Sequence, residues 1–145
     1  MLDSCLAQFA SDGQLAAFND QGYLIVEDAL PPELVRRLNV VIDRIDADER
    51  EARGLTPHAI MAKFRTIVED DLFLELLDYP TTFPLVCDIL GWNIQIYHSH
   101  LVVTPPWERA DPLDMAFGWH QDSARMNQEM DVDPRPMISL KVAYF

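Results

Sequence analysis

Basic residues are scarce in this sequence. Only 11 Lys and Arg stand against 24 Asp and Glu, a formal net charge of -13 over 145 residues. Polyanions are gripped through a basic face, so this balance argues against nucleic acid and anionic membrane surfaces as partners. Long apolar runs are missing too: no stretch approaches the ~20 residues that span a bilayer. Met1 to Ala10 carries Asp3 and no Lys or Arg, unlike a secretory leader. The 2 cysteines, Cys5 and Cys87, are too few and too far apart for a disulfide framework or a zinc knuckle. These features lead us to expect a reduced, cytoplasmic protein without a membrane partner. The chain also lacks a glycine-rich phosphate loop, a Gly-x-Ser-x-Gly elbow and a Cys-x-x-Cys pair.

What is present suits one globular domain, 1–145, with 49% hydrophobic residues. Asp12 can cap a short helix carrying Leu15 and Phe18, with Gly22 at its end. Tyr23 to Val26 reads as a short strand. Pro31-Pro32 opens a longer helix, with Leu34, Leu38, Val41, Ile42 and Ile45 at helical spacing. Its tail, Asp46 to Glu51, is a charge run that reads as a solvated helix end. Glu69 to Leu77 forms a third helical segment, and Thr82-Phe83-Pro84 starts a fourth that Gly91 closes. Cys87, among Val86, Ile89 and Leu90, reads as a buried small hydrophobe.

From Asn93 the pattern changes to period two. Ile94, Ile96, His98, His100 and Val102 alternate with Gln95, Tyr97, Ser99, Leu101 and Val103 up to Pro105-Pro106. A polar loop follows, then strands over Ala116 to Asp122 and Met137 to Phe145. Helices first and strands second indicate an α+β fold. The sequence stops inside an apolar strand, which would leave an unpaired edge. The expectation is therefore an N-terminal part whose C-terminal strands are missing.

Gly118-Trp119-His120-Gln121-Asp122 carries the chemistry. His120 and Asp122 are two apart, so an extended strand presents both on one face. An imidazole and a carboxylate so placed can supply two of the three ligands of an Fe(II) facial triad. No histidine follows Asp122. His98 and His100 share another strand face, either as residues of a half-buried sheet or as contacts to an acidic ligand or cofactor. His58 reads as exposed, and Lys63 as a solvated surface charge. Arg125 and Arg135 lie on a loop with Asn127 and Gln128, as surface charges or as a grip on an anionic substrate.

Gly91 to Ile94, Val103 to Pro106, Trp119 to Asp122, Arg135-Pro136 and Ser139 to Phe145 together resemble the phytanoyl-CoA dioxygenase family. Phe18 to Val26 is similar to that family's opening segment. The resemblance implies N-terminal helices packed on a double-stranded β-helix, a cupin-like jelly roll, incomplete in this chain. It implies Fe(II), 2-oxoglutarate and O2, with a small organic molecule as substrate. His120 and Asp122 would be the catalytic iron ligands. Lys63, His100, Gln121 and Tyr144 fall near positions that line the family's co-substrate pocket. Strict alternation points Gln121 away from the iron, so its role requires a local bend. The family's distal histidine and co-substrate arginine would lie beyond Phe145, or a second chain would supply the missing strands. Two other readings stand beside this one. One is a non-catalytic relic that binds a partner on the same scaffold. The other is a metal-dependent hydrolase using His120 and Asp122 with His98 or His100.

Overall fold

The computed structural model describes residues 9–106, 120, 122, 124–134 and 136–145. Gln121, Trp119 and Arg135 lie outside the described residues, as does Cys5. The chain divides into two compact units, one of Met1–Ala29, Asp78–Gln95 and Gly118–Phe145, the other of Leu30–Leu77 and Ile96–Phe117.

In the first unit, α1 runs Asp12–Gln21. Its cap is Ser11 rather than Asp12: the Gln14 N–H donates to Ser11 Oγ, and the Ser11 N–H donates to Gln14 Oε1 at 2.9 Å. This reciprocal pairing satisfies two donors that the first helical turn leaves open. Gly22 ends the helix at φ 80°, the left-handed conformation that glycine adopts without a Cβ clash. Helix α3, Phe83–Leu90, buries Pro84, Leu85 and Cys87. The expected burial of Cys87 is observed, at 3% exposure. Burial pushes its thiol pKa up. Two further hydrogen bonds join distant segments of this unit. The Ala10 N–H donates to Asp88 Oδ2 at 2.6 Å, and Thr81 Oγ1 donates to the Ala29 carbonyl at 2.7 Å. Residues 23–26 and 136–145 make no ladder among the described residues; several of them line a cavity instead. A short helix, α4, occupies Ala124–Glu129, where the sequence suggested a loop.

The second unit is built on α2, Pro32–Arg53, which Pro31 and Pro32 start as expected. Leu34, Leu38 and Ile45 are its buried residues, as their spacing predicted. Its charged tail departs from a solvated end. Asp46 and Arg50 pair at 2.8 Å with side chains only 22% and 18% exposed. Arg50 Nη1 also donates to the Thr56 and Ala59 carbonyls, at 2.7 and 3.1 Å, and Arg53 Nη1 donates to the Ala62 carbonyl at 3.0 Å. The tail thus fastens the following chain, because arginine reaches several carbonyls with one planar fork.

That following chain contains a strand the sequence did not suggest: β1, Met61–Phe64, pairs antiparallel with β2, His100–Val103. The register sets Met61 opposite Val103 and Phe64 opposite His100. The alternating stretch before His100 makes no ladder among the described residues; β1 is four residues long and pairs only with those four. The helical segment expected over Glu69 to Leu77 is a 3-10 segment, Asp71–Leu76, capped by Asp70 accepting from the Leu72 N–H, and a further 3-10 segment, Thr66–Val68, precedes it. Among the described residues no helix is long and apolar enough to cross a membrane.

Candidate functional site

His120 and Asp122 come together. Their facing atoms, Nε2 and Oδ1, are 3.3 Å apart, and both side chains are about half exposed. Two adjacent ligands bound at about 2.1 Å to one octahedral ion would stand about 3 Å apart, so the observed separation suits shared ligation. The other carboxylate oxygen, Oδ2, accepts from Lys141 Nζ at 2.5 Å. That hydrogen bond and the lysine charge hold the Asp122 carboxyl below its ordinary range, with a smaller push from His120. The carboxylate is therefore ionised at neutral pH, as a metal ligand must be. Among the described residues no group of three or more His, Cys, Asp or Glu side chains is gathered to hold a metal ion.

Lys141 also belongs to the wall of a cavity of about 540 Å³ within the same unit, with Phe18, Leu24, Leu85, Ile89 and Tyr144. Volumes of about 300–1,000 Å³ with mostly apolar walls are typical of small-molecule sites. Tyr144 Oη lies 2.9 Å from Thr82 Oγ1, with either hydroxyl able to donate. Burial raises the Tyr144 pKa, so the phenol stays protonated in the neutral range.

Lys63 and His100 lie in the second unit. Lys63, expected as a solvated charge, is held between two carboxylates. Its Nζ lies 2.6 Å from Glu49 Oε1 and 3.3 Å from Glu69 Oε1, and Arg53 stands 3.7 Å from Glu49 Oε2. The Lys63–Glu49 hydrogen bond is the largest cause of both shifts: it lowers Glu49 below its ordinary 4.5 and raises Lys63 above its ordinary 10.5. A depressed carboxyl contributes stability above its unfolded value and loses it as pH falls through the folded one. A raised ammonium contributes below its unfolded value and loses it as pH rises through the folded one. Glu49→Gln is therefore expected to lower the urea midpoint most between these two windows. The gap to the parent should narrow below pH 4.5 and above pH 10.5. A gap that ignores pH would mean the pair acts by packing alone.

The rings of His98 and His100 lie 5.0 Å apart at 41°, and Phe64 sits 5.4 Å from the first and 6.5 Å from the second. All three residues are exposed. Sequence reasoning missed Lys141, and the signal available was slight: it is the one charge in the apolar stretch Met137 to Phe145. Glu49 and Glu69 were visible only as part of a carboxylate-rich background to Lys63.

No protein-family model matches the chain, and no solved structure does. The chain is similar to a dioxygenase. The match is to the ectoine dioxygenase of Nocardia farcinica (strain IFM 10152), 23% identical over 136 residues. It covers 90% of this chain and 44% of that protein, so the chain spans less than half the length of the relative it matches.

Proposed function

We propose that this chain is part of an Fe(II)- and 2-oxoglutarate-dependent oxygenase of the phytanoyl-CoA dioxygenase type, hydroxylating a small organic molecule on a jelly-roll core. The observation that carries the reading is the His120–Asp122 edge, joined through Lys141 to the wall of a cavity of small-molecule size. The similarity to a dioxygenase over 136 residues supports the same chemistry. The donor set fits Fe(II), which takes mixed imidazole and carboxylate ligation with positions left open. His120 Nε2 and Asp122 Oδ1 would hold the ion, while Lys141 fixes the carboxylate through Oδ2. When bound, iron with 2-oxoglutarate supplies oxidative decarboxylation and C–H oxidation by O2.

The apolar wall of the cavity would keep water from the reacting carbon, and Tyr144 would offer a protonated hydroxyl. Gln121, Lys63 and His100 are assigned to the co-substrate on the resemblance alone. Lys63 would have to exchange one of its two carboxylate partners for a carboxylate of 2-oxoglutarate. The reading needs a third protein ligand from outside the described residues, a second chain being one source. The small molecule and the co-substrate are then the partners, and the β1–β2 ladder is one strand pair of the jelly roll.

Anaerobic titration of the chain with Fe(II) and 2-oxoglutarate tests this. A visible metal-to-ligand charge-transfer band is expected, and His120→Ala should abolish it. Fe(II) binding that His120→Ala and Asp122→Ala both leave unchanged would overturn the reading and leave a scaffold that binds without oxidising.

A further inference from the structure

The geometry points to a second metal site, built from His98 and His100, with a ligand set other than His120 and Asp122. It would take a late divalent transition metal, copper(II) most tightly, with nickel(II) and zinc(II) behind it.

His100 opens β2 and His98 stands two residues before it, with the two imidazole rings facing each other at a 41° tilt. Their spacing is the decisive quantity. An imidazole nitrogen about 2.0–2.1 Å from an ion puts the ring centroid about 3.2 Å from it. Two such rings at 90–109° around one ion have centroids about 4.5–5.2 Å apart. The observed centroid distance is 5.0 Å. Rotation about χ2, which is fast in exposed side chains, then brings one nitrogen of each ring to a shared ion.

The surroundings hold this spacing. The Ser99 carbonyl accepts from the Arg65 N–H at 2.7 Å, and Ser99 Oγ accepts from the Ile67 N–H at 3.3 Å. The residue between the two histidines is thereby fastened on the backbone and through its side chain. Phe64, opposite His100 in the ladder, lies within ring contact of both imidazoles and limits how far they splay. Both histidines are exposed, so an ion can reach them.

The donor set selects the cation. Two neutral imidazoles favour copper, nickel and zinc; magnesium and calcium require oxygen ligands. Among the described residues no third His, Cys, Asp or Glu completes a cluster, so exchangeable water fills the other positions. The net charge of -13 raises the local concentration of cations around the whole chain.

Copper(II) titration of metal-stripped protein, followed by electron paramagnetic resonance, tests the site. The tightest equivalent should bind with hyperfine coupling to two nitrogens, since His120 and Asp122 offer a further copper only one. His98→Ala and His100→Ala should each weaken that binding on the order of 10²-fold, because the second contact is an intramolecular one. His120→Ala should leave it unchanged, and His98→Ala should leave the Fe(II)/2-oxoglutarate band unchanged. The site is overturned if both single variants keep the parent affinity, if His120→Ala removes the two-nitrogen signal, or if the parent binds no tighter than free imidazole. Since the probe is copper without 2-oxoglutarate, this result stands or falls apart from the oxygenase reading.

Discussion

Replacing Met61 by alanine is expected to destabilise the chain by about 2–5 kcal/mol, the range for truncating a buried methionine. Met61 is 0% exposed, the most enclosed large side chain among the described residues of its unit, and α2 packs on the strand that carries it. Among the described residues, Leu34, Leu38, Ile45 and Leu72 are the other hydrophobic residues buried in that unit. The cost of a cavity grows where neighbours cannot collapse into it. Whole domains are stable by only about 5–15 kcal/mol, so this loss is a large fraction of the total. Val40→Ala on the same unit is the control. That valine is 71% exposed, and its loss should stay within about 0.5 kcal/mol. Urea midpoints for the two variants decide the matter. Equal midpoints would mean that β1 does not anchor the unit.

Removing Asp122 should have the largest effect on iron. Asp122→Ala deletes one of the two ligands and is expected to abolish the charge-transfer band. Lys141→Gln is the more discriminating change. If the ammonium at 2.5 Å holds the carboxylate for the ion, its loss should weaken Fe(II) binding about 10- to 100-fold and leave the band present at higher iron. If the ammonium competes with the ion for Asp122, the variant should bind Fe(II) more tightly than the parent. Tighter binding would remove Lys141 from the proposed site and assign it to the free protein alone. Near-ultraviolet circular dichroism checks that both variants keep the parent's packing.

Part of this architecture is legible residue by residue. The start of α2 at Pro31-Pro32, the ends of α1 and α3 at Gly22 and Gly91, and the buried set Leu34, Leu38 and Ile45 follow from the sequence read locally. Even the error at α1 is local, since Ser11 and Asp12 are both good caps and only the reach of Gln14 separates them. The pair His120–Asp122 was legible for the same reason, being two residues apart in the sequence.

Other features were not. Met-Ala-Lys-Phe has no alternation to announce a strand; β1 exists because His100–Val103 offers it a partner edge. The Lys63 clamp depends on α2 bringing Glu49 to β1, and the Asp122–Lys141 contact on the course of the chain between them. The line between these two groups is physical. Caps, proline starts and glycine stops act through dihedral preferences and hydrogen bonds spanning a few residues, so the sequence by itself determines them. Strand pairing and the ion pairs Lys63–Glu49 and Asp122–Lys141 need distant segments to meet. Their stability comes from contacts that form only after loop closure has been offset by burial, and that balance was decided by the tertiary structure.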